Sequence, residues 1–383
     1  MKTNKPQKNI PDGWISKTLG DFLEKVEGGG TPSKENFSFW NGAIPWASVK
    51  DVVTHNPFDT QDHISKEGLQ NSSSRLVSKG TLIVPTRMAL GHAVFFKVDV
   101  AINQDLKALY PKKELSNKFL FYWFESKKEF IKRLGSGSTV DGIQQNELKA
   151  IKFSLPPLSE QKRIVSVLET FELVIEKLIK KIKIKKNIKK GLMQNLLTGK
   201  IRLAGFSDKW KTFEVGELLD YEQPTKYIVK STEYSDLHKT PVLTANKSFV
   251  RGYTDEIDGI YKNVPAIIFD DFTMDNKYVD FSFKVKSSAI KILKQKNNKV
   301  NLRFVFEKMQ LFNIIIGQHK RNYISEYQFL TMDMPAIKEQ DAITNIIVTA
   351  DKEIKSLEKK LSILKDQKKY LLNNLITGTI RTK

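Results

Sequence analysis

The chain states one thing twice, at a fixed distance. Pro156-Pro157-Leu158-Ser159-Glu160-Gln161 returns as Pro335-Ala336-Ile337-Lys338-Glu339-Gln340. Gln194-Asn195-Leu196-Leu197-Thr198-Gly199-Lys200-Ile201-Arg202 returns as Asn373-Asn374-Leu375-Ile376-Thr377-Gly378-Thr379-Ile380-Arg381. Pro156 to Pro335 and Gly199 to Gly378 are both separated by 179 positions, so the stretch between the signatures has one length in both copies. A repeat spaced to the residue reads as a spacer.

The filling of that stretch supports a helix. Ile164, Leu168, Phe171, Ile175, Leu178 and Ile182 step by four and three residues in turn, and Ile343, Ile347, Ala350, Ile354, Leu357, Leu361 and Leu364 repeat the steps. This narrow apolar seam is that of a coiled coil. Glu160 and Glu339 suit a first helical turn, and Gly199 and Gly378 suit the left-handed residue that closes a helix. About 40 residues per helix gives roughly 60 Å at 1.5 Å per residue.

Before each spacer lies a globular block. Asp12-Gly13-Trp14 with Leu19-Gly20-Asp21-Phe22 matches Asp208-Lys209-Trp210 with Val215-Gly216-Glu217-Leu218, after which the interiors diverge. Short strands are expected at Thr81–Pro85, Ala93–Phe96, Val98–Ile102, Val264–Phe269 and Tyr278–Val285. Helices are expected at Lys118–Leu134, with Phe119, Tyr122, Trp123, Phe130 and Ile131 on one side, and at Asn301–Ile316. The aromatic clusters read as core rather than as stacking platforms. The expected fold is α+β: two globular α/β blocks (1–155 and 203–334) separated by two long helices (156–202 and 335–383). Those helices pack as an antiparallel coiled coil, with an internal pseudo-two-fold repeat.

Charge selects the class of partner. The net charge is +20, of which the spacer stretches 158–202 and 337–383 carry +8 and +4. The densest run is Lys180, Lys181, Lys183, Lys185, Lys186, Lys189 and Lys190. A one-signed excess favours a polyanion, nucleic acid first. Cys is absent, which excludes disulfides and cysteine-built zinc sites, and the five His residues lie without ligand spacing. Neither a membrane span nor an export signal is legible, so a cytoplasmic protein is expected.

Together these residues resemble the specificity (S) subunit of type I restriction–modification systems. The likeness rests on Pro156–Gln161, Leu196–Arg202 and their echoes at 335–340 and 375–381. Gly29-Gly30-Thr31-Pro32-Ser33, Ile44-Pro45-Trp46 and Asn103-Gln104-Asp105 add to it in the first block. Pro241–Ala245, Gly252-Tyr253 and Ile267–Asp271 do so in the second. The resemblance implies a non-catalytic reader of double-stranded DNA, with one target recognition domain per half of a bipartite asymmetric site. The helices would set the gap and dock two modification (methyltransferase) subunits, which restriction (translocase/endonuclease) subunits would join. No cofactor is expected in this chain; S-adenosylmethionine, ATP and Mg²⁺ would belong to the partners.

The residues agree with that division. No Walker loop is present. Asn56-Pro57-Phe58 matches the amino-methyltransferase signature only in part, and the Asp270-Asp271 pair alone is a weak Mg²⁺ site. Base readout needs Arg or Lys for guanine and Asn or Gln for adenine on accessible loops. Candidates in the first block are Thr31, Ser33, Lys34, Arg87, His92, Gln144, Gln145 and Asn146. In the second they are Asn246, Lys247, Arg251, Thr273, Lys277, His319, Lys320, Arg321, Asn322 and Tyr323. A stand-alone two-domain DNA-binding regulator and a coiled-coil adaptor without sequence preference are the alternative readings.

Overall fold

The computed structural model describes residues 10–135, 142–245, 248–312 and 322–382. Backbone contacts divide the chain into two units, Met1–Leu178 with Lys360–Lys383, and Ile179–Lys359. Both divisions fall inside the long helices rather than at their ends.

The first unit holds strands β1 (Ile15–Thr18), β2 (Leu23–Gly28), β3 (Trp40–Ala47), β4 (Asp62–Ile64), β5 (Arg75–Val77), β6 (Leu82–Pro85), β7 (Val94–Phe95), β8 (Val100–Ile102), β9 (Leu106–Pro111) and β10 (Lys152–Leu155). They form sheets of order β2-β9-β6-β7 and β4-β3-β8-β5, plus the pair β1-β10. Among the described residues of this unit, only β3 and β8 pair in parallel. Ile83 faces the core between the two four-stranded sheets, whereas Leu82 and Val84 face a second core beneath helix α1 (Asn117–Gly135). A strand buried on both sides reads as the unbroken run Leu-Ile-Val-Pro, not as alternation. Phe119, Tyr122, Trp123 and Ile131 of α1 are buried as expected. Phe130 is not: it is 41% exposed, on the same stripe as Trp123 but lining an open surface cleft with Arg133, Leu134 and Ile151.

The second unit holds β11 (Lys211–Glu214), β12 (Leu219–Glu222), β13 (Thr240–Leu243), β14 (Val250–Thr254), β15 (Ala266–Asp270), β16 (Asn276–Val279), β17 (Lys284–Val285), β18 (Ile290–Gln295) and β19 (Thr331–Met334). Its sheets run β12-β18-β15-β16 and β14-β13-β17, with the pair β11-β19. Ile267 and Phe269 of β15 face one core, Ala266 and Ile268 another. The single strand expected over Tyr278–Val285 is two strands in two sheets, since the chain changes layer across Asp280-Phe281-Ser282. The expected helix from Asn301 ends sooner than Ile316 within the described residues, as Leu302–Met309, with Asn301 Oδ1 accepting from Phe304 N at 3.0 Å.

The long helices are Leu158–Leu196 and Ile337–Ile376, 39 and 40 residues, here α2 and α4 after the short α3 (Leu302–Met309). Each begins beyond its proline signature, and Gly199 and Gly378 follow at φ +70°, the left-handed conformation that a side chain would strain. In the first unit Lys368 of α4 meets Glu172 of α2 at 2.6 Å, and Arg381 beyond α4 reaches Glu160 at 2.7 Å. In the second, Lys186–Glu358 (2.7 Å) and Lys189–Asp351 (2.5 Å) pair the helices, and Arg202 beyond α2 reaches Glu339 (2.6 Å). Rising numbers on one helix meet falling numbers on the other, so within each unit the pair is antiparallel. Ile164, Leu168, Ile343 and Ile347 are fully buried in the seam. The lysine run is therefore less one-signed than its sequence: Lys185, Lys186 and Lys189 face carboxylates of α4.

Candidate nucleic-acid interface

Each block is locked to its helices by the residues that repeat. Glu160, in the first turn of α2, takes the Trp14 indole N–H at 3.1 Å and a two-pronged Arg381 guanidinium at 2.7 and 2.9 Å. Burial raises the Glu160 carboxyl, but hydrogen bonds from Arg381 and Trp14 outweigh it and hold the group below the usual carboxylate range. Glu339 repeats the clasp with Trp210 at 3.2 Å and Arg202 at 2.6 and 2.7 Å. Gln161 bridges Ser116 N, Glu114 O and Pro156 O, and Gln340 bridges Asn301 N, Lys299 O and Pro335 O.

On that support the first block presents several expected groups. Thr31 Oγ1 donates to Gln104 Oε1 at 2.6 Å. Gly29 and Gly30 bring the chain there; a Cβ on either would lie within 2 Å of Ile102 O or Ser73 Oγ. Ser33 and Lys34 are exposed on the following loop. The exposed Arg87 stands 3.7 Å from Asp105, beside Met88 at φ +63°. His92 is half-buried, and burial with the nearby Lys128 charge lowers its pKa, favouring neutral imidazole. Gln144 precedes the helix Gln145–Ala150, where Gln144 N donates to Glu147 Oε2 at 2.8 Å; Asn146 is exposed.

In the second block Arg251 lines an open cleft of about 310 Å³ with Thr244, Ser248, Asp270, Lys286 and Ser287. Thr273 sits in an exposed turn, its backbone N–H on Asp270 Oδ1, and Lys277 is half-buried on β16. Asn246, Lys247, His319, Lys320 and Arg321 lie outside the described residues. Asn322 and Tyr323 require correction. They are 2% and 1% exposed, because their backbone N–H groups are captured by Asp271 O and Asp271 Oδ1 at 2.9 Å. Their side chains are core here and offer no edge to a groove.

The weak catalytic and metal motifs dissolve into ordinary structure. Asn56 Oδ1 accepts from Phe58 N, a local turn. Asp270 caps Phe272 and Thr273, while Asp271 lies 3.5 Å from Lys291, both 1% exposed. Two groups with exposed side chains join the candidates: Gln104, oriented by Thr31, and Lys286, in the cleft beside Arg251. The amide of Gln104 beside a strand end was a visible signal; Lys286 carried none beyond its charge.

Fold and surface define a modular protein: two α/β blocks of like topology, each clamped by one repeated clasp to a segment of antiparallel helices. The chain is similar to the specificity subunits of type I restriction–modification systems. Residues 11–189 match the family model of the type I restriction modification DNA specificity domain. The specificity subunit of the type I restriction enzyme EcoR124I/EcoR124II of Escherichia coli is 38% identical over 46% of this chain, a match that spans about half of that relative's length (46%). The MjaVIII specificity subunit of Methanocaldococcus jannaschii is 22% identical across 98% of this chain and 94% of its own. The crystal structure of the S subunit of a type I system from M. genitalium superposes with a TM-score of 0.61 at 17% identity, covering 97% of both chains, a likeness of fold. Among the described residues no helix is long and apolar enough to cross a membrane.

Proposed function

We propose that this chain is the non-catalytic DNA-recognition subunit of a cytoplasmic type I restriction–modification complex. Residues 1–155 and 203–334 act as target recognition domains, one for each half of a bipartite asymmetric sequence. Segments 156–202 and 335–383 set the gap between the halves and dock two methyltransferase subunits, which restriction subunits join. S-adenosylmethionine, ATP and Mg²⁺ are held by those partners. The observation that carries this reading is the duplicated clasp, Trp14–Glu160–Arg381 and Trp210–Glu339–Arg202. It fixes two unlike surfaces to one repeated frame, which is what a split, asymmetric target asks of its reader. The excess of +20 supplies sequence-independent attraction to phosphate.

The test is genome-wide base-modification sequencing of cells expressing this chain together with a type I methyltransferase subunit. A single split motif, modified only when the chain is present, is expected. Modification without a motif, or a motif that persists without the chain, refutes the reading.

A further inference from the structure

The interiors of the two blocks share no legible motif, yet three backbone hydrogen bonds align them at equivalent places, with the crossover one residue longer in the second block. Asn103 N donates to Ala47 O (3.0 Å), Thr86 N to Asp105 O (2.8 Å) and Ile143 N to Thr86 O (2.9 Å). In the second block Lys286 N donates to Leu243 O (3.0 Å), Asp271 N to Ala289 O (2.8 Å) and Asn322 N to Asp271 O (2.9 Å). The parallel pairs β3/β8 and β13/β17 sit at matching places, and each leads through a short crossover into the second strand of the other sheet, β9 of β2-β9-β6-β7 and β18 of β12-β18-β15-β16. The crossover is Asn103-Gln104-Asp105 in one block and Lys286-Ser287-Ser288-Ala289 in the other.

An open cleft lies beside this crossover in both blocks. The first, about 480 Å³, is lined by Ser48, Met88, Asn103 and Asp105 among others. The second, about 310 Å³, is lined by Thr244, Arg251, Lys286 and Ser287 among others. Ser48 and Thr244 each follow the residue whose carbonyl anchors the crossover, so the two clefts are equivalent. The frame is thus constant while the exposed side chains change from carboxamide to ammonium and hydroxyl.

We propose that this crossover is the base-reading element of each block, through Gln104 in the first and Lys286 with Arg251 in the second. The proposal rests on the recognition reading above and adds to it the residues and the chemistry of their target. Strands fix both ends of the loop, which gives the precision that a longer loop lacks. Thr31 occupies one lone pair of Gln104 Oε1, and Lys107 Nζ holds the Gln104 backbone carbonyl at 2.8 Å. The carboxamide is thereby oriented with an acceptor and two donors to spare, the pattern that matches adenine N6 and N7. Lys286 and Arg251 only donate, which matches O6 and N7 of guanine. Arg87 and Lys107 beside one loop, and Arg251 beside the other, provide the cationic rim that draws in a duplex.

The experiment uses the full chain co-expressed with its methyltransferase, read by base-modification sequencing. Gln104→Ala is expected to relax one position of one half-site, with roughly 10- to 100-fold less discrimination there, and to leave the other half intact. Lys286→Ala is expected to relax one position of the opposite half. Gln104→Lys is expected to shift the preferred base at its position toward guanine, a gain that a misfolded variant cannot produce. An unchanged motif modified at uniformly lower frequency in all three variants overturns the proposal while the recognition reading stands. Absence of any motif with the wild-type chain overturns both.

Discussion

Gln161 and Gln340 show how much one repeated side chain carries. Each is almost fully buried, accepts one backbone N–H and donates to two carbonyls. Truncation strands those groups at roughly 1–3 kcal/mol for an orphaned buried partner. Gln161→Ala or Gln340→Ala should therefore lower unfolding stability by about 2 kcal/mol or more in urea titration, whereas an exposed control such as Gln367→Ala should not. Lys308 offers a pH test. Burial lowers its pKa to about 8, against the opposing pull of Asp333, while its ammonium donates to Leu197 O and Asp333 O at 2.8 and 2.6 Å. Its folded pKa lies below the unfolded value of about 10.4, so the unfolded chain binds more protons between the two. Stability should rise with pH across about 8 to 10.4, by up to about 1.4 kcal/mol per pH unit. Lys308→Met should flatten that rise in melts recorded across the window. The repeat exposed Gln161 and Gln340 as important but not why, since their partners at 114–116 and 299–301 carry no motif. Asn322 and Tyr323 mislead for the converse reason: their polarity suggests surface, and only the proximity of Asp271 buries them.

The long helices were the most legible elements, because a seam stepping by three and four over about five to six turns has few alternative structures. Their ends were legible too, since Gly199 and Gly378 need the left-handed region. What the helices pair with was not. The carboxylates that meet Lys185, Lys186 and Lys189 come from more than 160 residues away. If the spacer sets the half-site gap, four residues inserted beside Lys190 add roughly 6 Å and slightly more than one turn, nearly preserving the faces. The modified motif should then gain or lose one or two base pairs of gap with unchanged half-sites. An unchanged gap counts against the spacer role. Strands were read less well. Those buried on both faces, β6 and β15, were legible as apolar runs, whereas β4 and β5 are too short to show a period, and the break between β16 and β17 is a change of layer that no local signal marks.

At the scale of the molecule, duplication of frame without duplication of surface is the governing feature. Exchanging residues 12–154 for the equivalent block of a relative should alter one half of the modified motif and leave the other as it was. Changes in both halves, read from the same sequencing, would contradict independent readers. The boundaries suit such an exchange, because the clasp residues Trp14, Glu160 and Arg381 have direct counterparts in Trp210, Glu339 and Arg202.

The sequence alone determined the repeat, the two helices, their polarity of charge and the family resemblance, all of which rest on local spacing and composition. Only the tertiary structure decided which repeated residues clasp which block, that two dissimilar interiors share one strand order, and which side chains stay at the surface. Those facts depend on contacts between residues far apart in the chain. Many different sequences can fill a given core, so the interior records little of its topology in any pattern that can be read along the chain.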